Sequence, residues 1–322
     1  VISLRQHAVS IAGIFLALAI GLVLGAHSGV LGSLRPGHGD LQPKVDALTA
    51  QNARLSGELA ASDAFLSGAQ GRLLGGTLAD RSVLVFTTPD ADGGDVGAVT
   101  RALTSAGATV NGVIALANPF VDSGQGDRLR TAVTNMIPAG AQLQTTAVDQ
   151  GSLAGDLLGL ALLTDPATGH ERATAQERGL ILDTLRSGGF LTFSGAPGGA
   201  EAPPSDTAVQ PAQLAVVVTG DGVKAAENNQ GSIIARFAGG LRGRSAGTVL
   251  AGRAGAADGA GPIAVVRSDD KLAGAVTTVD NVDHEIGRVT TALGLSEQLK
   301  GVTGGYGTGV KAGSLTVAAM PG

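Results

Sequence analysis

Three patterns in this 322-residue sequence predict an α/β protein built from a membrane-spanning helix, a coiled-coil helix and a mainly parallel α/β sandwich. No Asp, Glu, Lys or Arg occurs between Arg5 and Arg35. Large residues then recur at alternating steps of four and three from Leu41 to Leu73. Beyond Gly76, short runs rich in Val, Leu and Thr alternate with helical stretches. The chain is therefore expected to divide into an anchor at 1–30, a coiled-coil segment at 31–76 and an α/β domain at 77–322.

The apolar part of the first segment, Ala8 to Ala26, would measure ~28 Å at ~1.5 Å per residue, close to the ~30 Å hydrocarbon thickness of a bilayer. It exceeds the ~7–15 residues of an export-signal core, although Val23-Leu24-Gly25 resembles a cleavage site. A retained anchor through residues 8–26 is the expectation, with a cleaved signal and a buried core helix as alternatives. Arg5 before the span, against no charge until Arg35 after it, favours a cytoplasmic N-terminus and an extracytoplasmic main domain. Later apolar runs such as Leu157 to Leu163 are too short to cross.

The second segment carries a heptad seam: Leu41, Val45, Leu48, Asn52, Leu55, Leu59, Ser62, Leu66, Ala69 and Leu73. A single Asn on such a seam, here Asn52, fixes register and favours two strands. Pro43 suits a first helical turn and Gly75-Gly76 suits an end. Gly57, Gly68 and Gly71 each weaken the helix by up to ~1 kcal/mol relative to Ala, and Ser62 and Ala69 thin the seam. A homo- or hetero-oligomer through this coiled coil is expected. A helix folded back on its own domain is the alternative.

In the third segment, strands are expected at Ser82–Thr88, Thr109–Leu116, Phe190–Phe193, Leu214–Gly220, Thr248–Gly252 and Ile263–Ser268. Helices are expected around Val96–Ser105, Asp127–Met136, Thr174–Arg186, Ser232–Leu241 and His284–Leu299. Strands apolar throughout and separated by helices indicate a parallel sheet covered on both faces, hence a Rossmann-like α/β sandwich. The Gly/Pro-rich stretch within 194–211 reads as a loop that splits the domain into two lobes.

Composition excludes several functions. A net charge of -5 supplies no cationic face for nucleic acid. The absence of cysteine removes disulfides, thiolate metal sites and cysteine nucleophiles together. With no Trp and one Tyr, stacking platforms can hardly be built.

Each catalytic motif fails its expected context, so the sequence reads as no enzyme, with no catalytic or cofactor-binding residue assigned. Gly243 to Gly247 matches G-x-S-x-G around Ser245, but a helix precedes it and a strand follows, the reverse of a nucleophile elbow. Gly220 to Ala225 fits G-x-G-x-x-A, yet Arg253 stands where a ribose-binding acid belongs. The glycine-rich Gly304 to Gly309 follows a helix, not a strand. Asp90, Asp92 and Asp95 lie at the carboxyl edge, where ligand binding and helix capping both explain acids. Asp280, Asp283 and His284 are the metal-ligand candidates, with a D-x-x-D helix cap as the competing explanation.

Several stretches in this order resemble one family: "ISLRQHAVSIAGIFLALAIGLVLG", "FTTPDA", "VDQGSLAGDLLGLALL", "NQGSIIARFAGGL", "GTVLAGR", "TTVDN" and "YGTG". They are similar to the MctB family of mycobacteria and related mycolate-bearing actinobacteria, over nearly the whole chain. The resemblance implies a cell-envelope membrane protein of copper transport, efflux or homeostasis, proposed in that family as an outer-membrane channel. Copper would be the transported ion and not a bound cofactor. The inventory supplies no obvious mechanism: Cu(I) favours thiolate and thioether ligands, and the chain has only Met136 and Met320. The aromatic girdles of a membrane β-barrel are missing. The family also resembles actinobacterial division proteins that regulate peptidoglycan hydrolysis with a membrane partner. That similarity implies an envelope scaffold as the alternative function.

Overall fold

The computed structural model describes residues 41–138, 140–144, 147–193 and 209–317. The expected anchor at 8–26 lies outside the described residues. Among those described, no helix is long and apolar enough to cross a membrane. The chain divides into two compact units between Ser62 and Asp63. Helix α1 (Leu41–Leu74) runs through that boundary.

The heptad stretch is helical, and α1 stops at Gly75-Gly76 as its sequence indicates. Gly76 adopts φ +77°, a left-handed conformation that costs glycine little, and Thr77 N–H returns to the Leu74 carbonyl at 2.9 Å. Within the first unit Val45, Leu48, Asn52, Leu55 and Leu59 are all exposed.

The second unit carries a seven-stranded sheet with the order β3-β2-β1-β4-β5-β6-β7. Its strands are β1 (Ser82–Thr87), β2 (Thr109–Leu116), β3 (Leu191–Phe193), β4 (Leu214–Val218), β5 (Gly247–Ala251), β6 (Thr277–Val279) and β7 (Gly305–Tyr306). All neighbours are parallel except β2 and β3. The expected mixed α/β fold with a mainly parallel sheet is therefore present, and the strand order is Rossmann-like. β3 and β4, on either side of the Gly/Pro-rich stretch, join the same sheet.

Alternation within each strand builds two cores. Leu84, Phe86, Ala215, Val217 and Leu250 face one side, where they meet α4 (Gln150–Leu162 below) and its neighbours. Helices α2 (Gly93–Ser105), α3 (Gly126–Asn135), α4 (Gln150–Leu162), α5 (Ala175–Ser187), α6 (Gln230–Arg242), α7 (Pro262–Ser268) and α8 (Glu285–Gln298) cover the sheet. Val83, Val85, Leu214, Val216, Val218, Val249 and Ala251 face the other side, against α2, α8 and Leu74 at the end of α1. Phe237 of α6 sits between Phe86 and Phe120, with edge-to-face ring centroids 5.4 and 5.2 Å apart.

Two elements depart from the sequence expectation. Ile263–Ser268, expected as a strand, is helix α7: Pro262 takes the first helical turn, and Ile263 and Val266 fall on the buried face. Tertiary packing here overrides the β-propensity of the Ile/Val run. The strand of this region is the three-residue Thr277–Val279, too short to be legible as a run. Helix α4 was not expected either. It is apolar almost all round, as a helix buried in the core should be.

Helix α4 packs backbone to backbone on α6. A Cβ placed on Gly155 would collide with the Phe237 carbonyl and crowd Gly240. Gly155→Ala is therefore expected to lose roughly 1–3 kcal/mol by overpacking, more than the ~1 kcal/mol that Ala gains in a helix. Urea unfolding checks this, and equal or greater stability would contradict the packing argument.

Candidate functional site

In an open parallel sheet of this order, ligands bind beyond the carboxyl ends of the strands, where the order reverses between β1 and β4. The chain puts its own carboxylate there. Asp90, just after β1, accepts hydrogen bonds from Thr88 Oγ1 at 2.5 Å, Thr219 Oγ1 at 3.3 Å and Gly222 N–H at 3.1 Å. A Cβ on Gly220 would collide with the Asp90 carbonyl. The glycines of the G-x-G-x-x-A match thus admit the chain's own Asp90.

The next acids along the edge are also engaged. Asp92 is the N-cap of α2 and accepts from Gly94 and Asp95 N–H, so capping is the correct explanation for it. Asp95 is nearly buried and pairs with Arg253 Nε at 2.7 Å and, more distantly, with Arg288 Nη2 at 3.5 Å. Arg253, the residue in place of a ribose-binding acid, also reaches Asp92 at 3.5 Å. The hydrogen bond to Asp95, with the negative charge around it, holds the Arg253 guanidinium above the usual arginine range.

Of the three metal candidates, Asp283 and His284 lie side by side, and Asp280 is held by other partners. Asp280 is fully buried, and its Oδ2 pairs with Arg267 Nη1 at 2.6 Å. Its Oδ1 accepts from Thr308 and Gly309 N–H at 2.7 and 3.0 Å. The glycine-rich Gly304 to Gly309 stretch therefore wraps a carboxylate of this chain, and Gly307, at φ +125°, leaves no room for a Cβ beside it. Asp283 Oδ2 stands 3.6 Å from His284 Nε2, while His284 Nδ1 faces Asp63 Oδ2 at 3.1 Å. Among the described residues, no three His, Cys, Asp or Glu side chains form a group able to hold a metal. The expected D-x-x-D cap is corrected. His284 occupies the N-cap of α8 with no side-chain cap bond, and Asp63 of α1 accepts from Glu285 N–H at 2.9 Å instead. Ser245 is buried in the turn before β5 and shares a 2.8 Å hydrogen bond with Thr248.

The cations that fix this edge escaped the sequence reading. Arg267 lies in the stretch expected to be a strand, and Arg288 joins local partners, Glu285 and the Val282 and Asp283 carbonyls, to the distant Asp95. The Gly261-Pro262 pair was the available signal that Arg267 belongs to a helix.

The sequence profile of the family described as "Copper transport outer membrane protein, MctB" matches residues 1–317. The chain belongs to the MctB family. Proteins named copper transporter MctB from Mycobacterium tuberculosis H37Rv and Mycobacterium leprae are each 41% identical to it over 321 residues, covering 98% of this chain and 99% of theirs. The MctB resemblance read from the sequence motifs therefore holds over the whole chain. Of the chain's two methionines, Met136 is packed against the core and Met320 lies outside the described residues.

Two measurements check this edge. Asp280→Ala leaves the Arg267 guanidinium buried and unpaired, and is expected to cost about 3–5 kcal/mol in urea unfolding. A loss below ~1 kcal/mol would show that the pair does not hold the edge. Tyr306 donates to Glu297, and burial, then this hydrogen bond, pushes its phenol well above the ordinary value of ~10. The folded state thus favours the neutral phenol, a contribution fully present below pH ~10 and lost as pH rises through the folded value. As the one tyrosine in a chain without tryptophan, it is expected to show no ionisation band at 295 nm at pH ~10 while the protein is folded. Titration at the ordinary value would contradict this.

Proposed function

We propose that this chain acts in copper efflux or homeostasis at the cell envelope, as a membrane-anchored and non-enzymatic component. The observation that carries the reading is the whole-length match to a family described by copper transport, with relatives of the same name at 41% identity. The uncharged stretch at residues 8–26 supports the anchor. The carboxyl edge, occupied by Asp90 and Asp280 with their own partners, supports a domain that works by its surface. Copper is then cargo or a downstream consequence, since Cu(I) favours soft ligands and the chain has no cysteine and two methionines.

A second reading is an envelope scaffold that helps control peptidoglycan hydrolysis through a membrane partner. The exposed seam of α1 favours it: Leu48 and Leu55 are 64% and 48% exposed at spacings suited to another helix. The seam makes α1 an association rod in either reading.

Cells lacking the chain are expected to accumulate copper and to stop growing at lower external copper than the parent, with recovery on return of the full chain. Unchanged copper content would contradict the copper role. Returning Leu48→Lys/Leu55→Lys separates the two readings. Copper export with defective cell separation favours the scaffold, and loss of export alone favours a copper role that needs the rod.

A further inference from the structure

We propose that the α/β domain and a second copy of α1 compete for one stripe of α1, so that the last three turns of the helix are a clasp that opens when two chains pair. The proposal rests on the association reading of α1 given above. Let Val45, Asn52, Leu59 and Leu66 be the a positions of the seam and Leu48, Leu55, Ser62 and Ala69 the d positions. Asp63 and Gln70 then both fall at e, directly after a d residue.

Along the first part of the seam the large residues are open: Val45 is 52% exposed and Leu59 42%. Between Asp63 and Gln70 the same face is taken by the domain. Asp63 accepts from Glu285 N–H and faces His284, Gln70 Nε2 donates to Glu285 Oε1 at 2.8 Å, and Ser105 Oγ donates to Gln70 Oε1 at 3.0 Å. Leu66 and Ala69, the seam residues between them, are half-buried. Residues at a, d and e are those a partner helix would cover. Over these turns the domain stands in the partner's place.

The clasp is thin and polar. Phe65 is 74% exposed and Leu73 48%, and of this part of α1 only Leu74, at its end, is fully buried. Burial of half a leucine and an alanine holds the helix little more strongly than the hydrogen bonds do. Leu74 is the natural pivot. The occupant is a second copy because the open stripe and the covered stripe are one continuous seam on one helix, with Asn52 favouring a two-stranded pair.

Asp63 biases both states. In the closed clasp its carboxylate caps α8, whose own N-cap residue supplies no side-chain bond. In a parallel pair the e position of one chain faces the preceding g position of the other, which is Glu58. Two carboxylates meet there, so the residue that shuts the clasp also resists zipping past Leu59.

The chain has no cysteine, so one introduced thiol reports pairing at one position by oxidative cross-linking of the full chain. Leu55→Cys is expected to cross-link with the clasp residues present or removed. Leu66→Cys is expected to cross-link weakly, and to rise about five-fold when Asp63→Ala and Gln70→Ala are added. Cross-linking at position 55 with none at 66 in any background, or with equal yield at 66 in both, overturns the clasp and leaves the pairing standing. No cross-link at position 55 overturns the pairing and the clasp together. If the double alanine background unfolds the domain, Gln70→Ala alone replaces it, because it removes the bonds to Glu285 and Ser105 while leaving the cap of α8 in place. The same rise at position 66 is expected, and its absence overturns the clasp.

Discussion

The buried ion pair between Arg267 and Asp280 is the constraint on which the far half of the domain depends. One carboxylate with no exposure joins α7, the end of β6 and the glycine-rich turn after β7. Removing such a pair from water is costly, and its attraction offsets that cost only when the remaining lone pairs also find donors. Here they do: Thr308 and Gly309 supply N–H groups to one oxygen, and Arg267 takes the other while its second nitrogen reaches the Tyr306 carbonyl at 2.8 Å. Asp90 does the equivalent work between β1 and β4 with neutral donors. The edge that a doubly wound sheet offers to ligands is thereby stitched together by the chain itself.

This arrangement bears on what kind of protein the fold supports. A Rossmann-like sheet is a scaffold for many activities, and function is argued from its site. At this edge the acids and glycines resembling a nucleotide site satisfy one another, and the acids resembling a metal site take different partners, Asp280 with Arg267 and Asp283 with His284. Among the described residues of the first unit, Val45, Leu48, Leu55 and Leu59 of α1 are exposed. The same helix supplies, through Asp63, the cap of α8.

Much of the architecture was legible in the residues. "SVLVFT" and "TVNGVIAL" are apolar β-rich runs, and both are strands with the expected bounds to within a residue. Thr174 with Glu177 three positions on forms a capping box at the start of α5. The failures share a physical cause. "PIAVVRS" has strand propensity but lies on a helix because its burial pattern, not its composition, decides. "QGSLAGDLLGLAL" shows no amphipathic period because it is buried on nearly every side. The site was harder still. Local spacing left Asp92 open between a cap and a ligand, and the structure makes it a cap, while Asp280 and Asp63 are explained by partners 13 and more than 200 residues away. Sequence proximity grouped Asp280 with His284, while the fold gave each a different neighbour.

The central claim is that the acids at the carboxyl edge of the sheet are held by the chain's own donors, Asp90 by Gly222 N–H and Asp280 by Arg267, Thr308 and Gly309. Titrating isotopically labelled protein with a dinucleotide, then with a nucleoside triphosphate, while following the amides of Gly220, Gly222, Thr308 and Gly309 by NMR, tests it most directly. The account predicts that these amides do not move at millimolar ligand. Saturable shifts at those positions would contradict it.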